Sequence, residues 1–273
     1  MIGLVTDSNA MLPTSLVARL GAYVVPLTVT VEGVSMREDD TLDLAAFYMQ
    51  LRYGAAISTA SPSPGEFVTA YQELAAAGAT EIVSVHVGRA FSGTINAAHV
   101  AVKMSVVPVH IVDSGVASFA LGCAVWAAAD TLAVGGNATA AVLAAESVAA
   151  NTTSVFTVGE PDRARTGGRL PVGPSATGIP VLAMSGAESE ILGTAMSTRD
   201  AVGKMVNYLA KHVTRPVRIG VGDADHPEAG DALAAALASL DQVREIIPYR
   251  VGPTVAAHTG AGTFGAVVWE LDQ

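Results

Sequence analysis

Alternation between two hydrophobic periods is the feature that most limits what this chain can become. Segments 2–5, 23–31, 81–87 and 109–112 read as strands, the last two as near-continuous apolar runs of the kind buried in parallel sheets. Segments 14–20, 43–51, 64–77 and 94–103 between them carry helical spacing. Strand and helix in regular succession make βαβ units, which build a parallel sheet covered by helices. The best-marked start follows residue 62: Ser63-Pro64-Gly65-Glu66 pairs a capping-box Ser and Glu with Pro at the first helical position, and Phe67, Tyr71 and Leu74 then share a face.

Helices over 117–134 and 138–149, separated by Gly135-Gly136-Asn137, complete this half. The polar break Asn151-Thr152-Thr153 then sets a boundary between domains 1–152 and 153–273. The second part has another rhythm. Strands are expected at 154–159, 179–184, 190–194, 217–221, 243–250, 255–258 and 265–269, helices at 200–212 and 228–240, and a Gly, Arg and Pro-rich segment at 161–174. The expected fold class is therefore an N-terminal α/β domain with a largely parallel sheet and a smaller C-terminal α+β domain.

Charge and cysteine usage narrow the function. The 273 residues hold 15 Lys and Arg against 25 Asp and Glu, a formal charge of −10, which argues against sequence-independent binding to nucleic acid or an anionic membrane surface and for a monomer. The single cysteine, Cys123, excludes an intramolecular disulfide framework and reads as a buried small hydrophobe. No basic segment opens the chain, and its longest apolar stretch, 115–129, stops short of the roughly 20 residues of a membrane span. A cytoplasmic protein without stable membrane insertion is expected.

Several chemistries are tested by their motifs. Gly260-Ala261-Gly262-Thr263-Phe264-Gly265 matches the dinucleotide GxGxxG literally, but only eight residues follow it, too few for the helix and the distant acidic residue that such a site needs. No P-loop occurs, and the histidines, at 86, 99, 110, 212, 226 and 258, show no HxxxH or HExxH pairing, so neither a nucleotide cofactor nor a metal is expected. The nucleophile elbow GxSxG is missing, although a dispersed triad of Ser92, His258 and Asp113 stays open as a small-molecule serine hydrolase.

More telling are hydroxyl residues placed where strands or loops hand over to helices: Thr6-Asp7-Ser8, Ser58-Thr59-Ala60-Ser61-Pro62, Phe91-Ser92-Gly93-Thr94 and Asp113-Ser114-Gly115. In a parallel sheet such loops gather at the carboxyl edge, where helix N-termini suit a small anion such as a carboxylate or phosphate. Ser, Thr and Asp also cap helices in their own right. Thr59 stands apart from that role, because Ser63 already caps the helix that follows.

These segments, with Leu12-Pro13, Val25-Pro26-Leu27, Gly167-Gly168-Arg169 and His258-Thr259-Gly260, occur in the order seen in the DegV family, and the chain resembles that family from residue 2 to about 268. The resemblance implies a DegV-like fold that holds one long-chain fatty acid between the two domains. It implies a carrier rather than an enzyme: the protein buries the acyl tail and presents the carboxylate to a separate fatty acid kinase, which makes acyl-phosphate for phospholipid synthesis. On it, Thr59 and Ser92 bind the carboxylate and His258 completes the polar end, with Ser61, Gly93, Ser114 and Arg169 nearby and Arg199 as a partner contact. Ala60-Ser61, Val87-Gly88 and Ala261 depart from the family's usual residues, which leaves chain length and unsaturation open, as it leaves open a different apolar acid.

Overall fold

A computed structural model describes residues 1–167, 178–185 and 188–271. In chain order, β1 (Ile2–Asp7) runs through a 3-10 turn (Ser8–Ala10) to α1 (Thr14–Leu20), β2 (Ala22–Val25), β3 (Thr28–Val31), β4 (Val34–Arg37), α2 (Leu44–Arg52), β5 (Ile57–Ala60), α3 (Pro64–Ala76), β6 (Glu81–His86), α4 (Thr94–Val102), β7 (Val109–Asp113), α5 (Phe119–Ala133) and α6 (Ala138–Asn151). There follow β8 (Thr153–Thr157), α7 (Pro161–Gly167), β9 (Ile179–Ser185), β10 (Glu188–Ala195), α8 (Thr198–His212), β11 (Val217–Asp223), α9 (Pro227–Leu237), β12 (Val243–Arg250), α10 (Pro253–Thr259) and β13 (Phe264–Glu270). Contacts divide the chain into two compact units, the first made of residues 1–30, 34–42 and 58–150, the second of 31–33, 43–57 and 151–273.

In the first unit the strands stand in the order β2-β1-β6-β7, every neighbouring pair parallel. Side chains alternate across such a sheet. Val5 and Ile82 point with Phe67 and Tyr71 of α3 and Ala98 and Ala101 of α4 into one core. The other face lies under α5, whose residues 119–129 are all buried. Its small side chains permit this: a Cβ on Gly122 would come within 2.5 Å of the Ala10 carbonyl oxygen. The capping box of α3 forms as its sequence demands, with Ser63 N–H donating to Glu66 Oε2 at 2.8 Å and Glu66 N–H to Ser63 Oγ at 3.4 Å. A three-stranded sheet, β4-β3-β5, completes the strands of residues 1–150.

The second unit holds a six-stranded sheet, β10-β9-β8-β13-β11-β12, antiparallel except for the β11–β12 pair. Helices α8 and α9 bury Met205, Leu209 and Leu233 against Val155, Val181 and Ile219. Helix α2 belongs here although it lies early in the chain. Its apolar face, Phe47, Tyr48 and Leu51, is buried, and the Tyr48 hydroxyl donates to the Val251 carbonyl at 2.5 Å. Sequence position placed 43–57 with the first domain; the packing of that face against α10 places it with the second unit.

Other expectations change for local reasons. Residues 255–258, expected as a strand, form part of α10: Pro253 stands at the first helical position, and Gly260, at φ +85°, ends the helix. The expected strand 23–31 breaks at Pro26 into β2 and β3. Residues 161–167 are helical, and the remainder of the segment to 174 lies outside the described residues. The glycine-rich match at 260–265 is a helix-to-strand turn. A Cβ on Gly265 would stand 2.4 Å from the Val155 carbonyl oxygen in β8, so this glycine serves close strand pairing, and β13 follows where a dinucleotide loop would open a helix.

Candidate functional site

Strand order locates the site in the first unit. From β1 the chain turns to β2 on one side, whereas β6 leads to β7 on the other, so the sheet's winding reverses between β1 and β6. Open α/β sheets leave a crevice beyond the carboxyl ends of the strands at such a point. The segments that meet this edge are residues 7–10 after β1, 87–93 after β6 and 114–118 after β7.

Hydroxyls collect there. Ser92 Oγ shares hydrogen bonds with Ser61 Oγ at 3.1 Å and Thr94 Oγ1 at 2.8 Å, and accepts the Thr94 N–H at 3.3 Å. Ser61 and Ser92 are half-buried and Thr94 is fully buried. Gly93 caps α4 without a side chain, and a Cβ there would lie 3.5 Å from Ser61 Oγ. Thr59 is the third residue of β5, two positions before Ser61 in the chain. The N-terminus of α3, by contrast, is closed by its own capping box.

The structure thus brings Ser61, Ser92 and Gly93 together, with Thr59 on the adjoining strand. Ser114 is buried and locked into its own turn, its hydroxyl donating to the Val116 carbonyl and accepting the Val116 N–H. His258 is half-buried in the last turn of α10, in the second unit. Arg199 is exposed in the first turn of α8. Arg169 lies outside the described residues.

Charge at this edge is already committed. Asp113 takes the Arg89 side chain and the N–H groups of Arg89 and Gly115. Burial works to raise its carboxyl pKa, but these bonds, led by the Arg89 side chain, hold it below the ordinary carboxylate value. Ser92 therefore faces hydroxyl partners and Asp113 faces an arginine. Among the described residues, no group of three or more His, Cys, Asp or Glu is placed to hold a metal, and no helix is long and apolar enough to cross a membrane.

Sequence reasoning gave no role to a buried polar chain beside this cluster. Asp7 Oδ2 accepts His86 Nδ1–H at 3.0 Å and the Val87 N–H at 3.0 Å, while Oδ1 accepts the Asn9 N–H at 3.1 Å. His86 Nε2 meets Ser84 Oγ at 2.7 Å, and Ser84 Oγ meets the Tyr71 hydroxyl at 3.0 Å. All four side chains are fully buried. A signal existed: Ser84 and His86 alternate with Val83, Val85 and Val87 along one strand, which places two polar groups on the same buried face.

Fold and site together define a doubly wound α/β unit carrying a neutral hydroxyl cluster at its switch point, joined to a unit built on a mixed sheet. The chain belongs to the DegV family, whose model, described as an uncharacterised protein family, matches residues 1–271. A DegV domain-containing protein of Streptomyces coelicolor is 34% identical over 98% of each chain, and one of Mycobacterium tuberculosis is 28% identical over 97% of this chain and 95% of its own. Among solved structures, a DegV family protein from Thermus thermophilus, described by its fatty acid binding, superposes with a TM-score of 0.90 at 29% identity over 99% of each chain. DegV of Bacillus subtilis, described as a fatty acid-binding protein, shares the fold, with a TM-score of 0.87 at 23% identity over 99% of each chain.

Proposed function

We propose that this protein is a carrier that buries the tail of a long-chain fatty acid and holds its carboxylate with the hydroxyls of Thr59 and Ser92. Ser61 and Gly93 shape that site, and His258 completes its polar end. The observation that carries this reading is the Ser61–Ser92–Thr94 cluster at the switch point, a set of neutral donors with no lysine or arginine among its hydrogen-bond partners in the described residues. Neutral hydroxyls suit a partly buried carboxylate, because a buried cation would carry a large desolvation cost of its own. The fatty acid binding described for the Thermus thermophilus relative supports the same ligand class.

Affinity on this reading comes from the tail. About 14 buried methylenes at roughly 0.8 kcal/mol each supply on the order of 11 kcal/mol before association costs, whereas the head group adds specificity. The carboxylate is then available to a separate fatty acid kinase for conversion to acyl-phosphate, with the carrier itself performing no chemistry.

Organic extraction of the denatured protein followed by mass spectrometry tests the reading. One long-chain acid per chain is expected. The double variant Thr59→Ala/Ser92→Ala is expected to purify with much less of it, and unchanged lipid content in that variant would refute the head-group assignment.

A further inference from the structure

We propose that Asp7 is a positioning residue for the carboxylate site, fixing the turn that presents Ser92; this rests on the reading of Ser92 as a carboxylate-binding hydroxyl. A fully buried carboxylate is expensive to desolvate, and among the described residues Asp7 has no lysine or arginine partner to offset it. Three N–H donors satisfy it instead, and each belongs to a segment that reaches the switch point.

Asn9 N–H ties the carboxylate to the turn after β1, and Asn9 Oδ1 in turn accepts the Ser118 N–H at 2.8 Å, reaching the segment that leaves β7. Ser118 stands at φ +59° and ψ −152°, a conformation that essentially only glycine adopts without strain, so this link restrains backbone that would otherwise relax. Val87 N–H ties the carboxylate to the exit of β6. The next residue, Gly88, accepts the N–H groups of Phe91 and Ser92 on its carbonyl at 2.9 and 3.2 Å, and donates its own N–H to the Val116 carbonyl at 2.9 Å. From the carboxylate to the Ser92 backbone there are thus two residues of covalent chain, Val87 and Gly88, and one hydrogen bond on either side of them.

His86 gives the arrangement a direction. A carboxylate oxygen only accepts, so Nδ1 carries the proton that points at Asp7, and Nε2 is left to accept from Ser84. Ser84 then accepts from the Tyr71 hydroxyl. Every donor in the row Tyr71, Ser84, His86, Asp7 has one acceptor; reversing the row would leave the buried Tyr71 O–H with none. The order Ser, His, Asp imitates a catalytic triad, but all its side chains are closed from solvent, which excludes contact with a substrate and leaves orientation as its task.

The test uses the full chain, with oleic acid and its methyl ester as probes. In Asp7→Asn an amide N–H group faces a backbone N–H, and affinity for oleate is expected to fall tenfold or more while that for the ester stays within twofold. In the Ser92→Ala background the same change is expected to add nothing. Should Asp7→Asn fail to fold, two changes at His86 decide the matter. His86→Asn keeps an N–H where Nδ1–H stood and is expected to keep the preference for acid over ester; His86→Leu is expected to lose it. Equal loss for acid and ester, full additivity with Ser92→Ala, or no difference between the two His86 variants would overturn the positioning role. A parent protein that holds ester as tightly as acid would overturn the carboxylate reading itself, and the role with it.

Discussion

Replacing Gly88 by Ala tests how tightly the Ser92 turn is held. Gly88 is buried where the exit of β6 crosses the segment after β7, and a Cβ there would stand 2.6 Å from the Gly115 carbonyl carbon and 2.7 Å from its Cα. Ordinary contact begins near 3.4 Å, so two backbones must part by roughly 0.8 Å, with no flexible side chain to give way. Overpacking of this kind costs about 1–3 kcal/mol, and loss of the Gly88 N–H bond to Val116 adds about 1 kcal/mol. Alanine lowers the entropy of the unfolded chain and returns about 0.4–1 kcal/mol. The net expectation is a loss of about 1–4 kcal/mol in urea unfolding, with weaker oleate binding because the Gly88 carbonyl holds the Phe91 and Ser92 amides. Gly93→Ala is the control for stability, since its Cβ would meet nothing nearer than 3.5 Å and its φ of −77° suits any residue. A Gly88→Ala protein within 0.5 kcal/mol of the parent, with oleate binding intact, would refute the close crossing as the support of the site.

Three further outcomes are expected. The Asp113 carboxyl is held below its ordinary value near 3.8, so its contribution to stability is present above that pH and lost as pH falls through the lower folded value; Asp113→Asn should flatten the acid limb of an unfolding-versus-pH curve, and an unchanged limb would contradict the Arg89 and Gly115 bonds. Burial pushes the Tyr71 phenol up to about 12, against the smaller lowering effect of its bond to Ser84, so stability is full below about pH 10 and falls by about 2–3 kcal/mol as pH rises through 12. Tyr71→Phe should abolish that alkaline loss while costing about 1 kcal/mol at neutral pH, and the same alkaline slope in both proteins would refute it. A fluorophosphonate probe should leave Ser92 unlabelled, because its hydroxyl is bonded to Ser61 and Thr94; stoichiometric labelling would sink the carrier reading.

How much of this was legible in the sequence depended on the range of the interactions involved. Helix α3 was readable nearly to the residue, because its Ser63–Glu66 box and Pro64 act within one turn. Residues 255–258 misled for the same reason in reverse: Thr254, Val255 and Thr259 favour extended backbone, while the contacts that stabilise α10 come from α2 and α7, about 200 and 90 residues away. The membership of α2 in the second unit was invisible, since a periodic apolar face announces that it will be buried without saying against what.

The site divides along the same line. Hydroxyls at loop positions stand out because such residues are common caps, and Thr59 could be singled out once Ser63 had taken the capping role. What sequence cannot convey is that two loops 31 residues apart close on each other, each leading into one of the packed helices α3 and α4. The Asp7 chain is less legible still, because its members lie at positions 7, 71, 84 and 86 and look separately like a turn residue, a core aromatic and two polar interruptions of a strand. Their common burial requires a reason, and the hydrogen bonds supply one: the costly group stands where three loops must be held in register, while the groups set to meet the ligand are hydroxyls that are cheap to desolvate. Strong electrostatics kept behind the site and weak donors kept in front of it are what a protein needs if it is to grip a carboxylate and still release it.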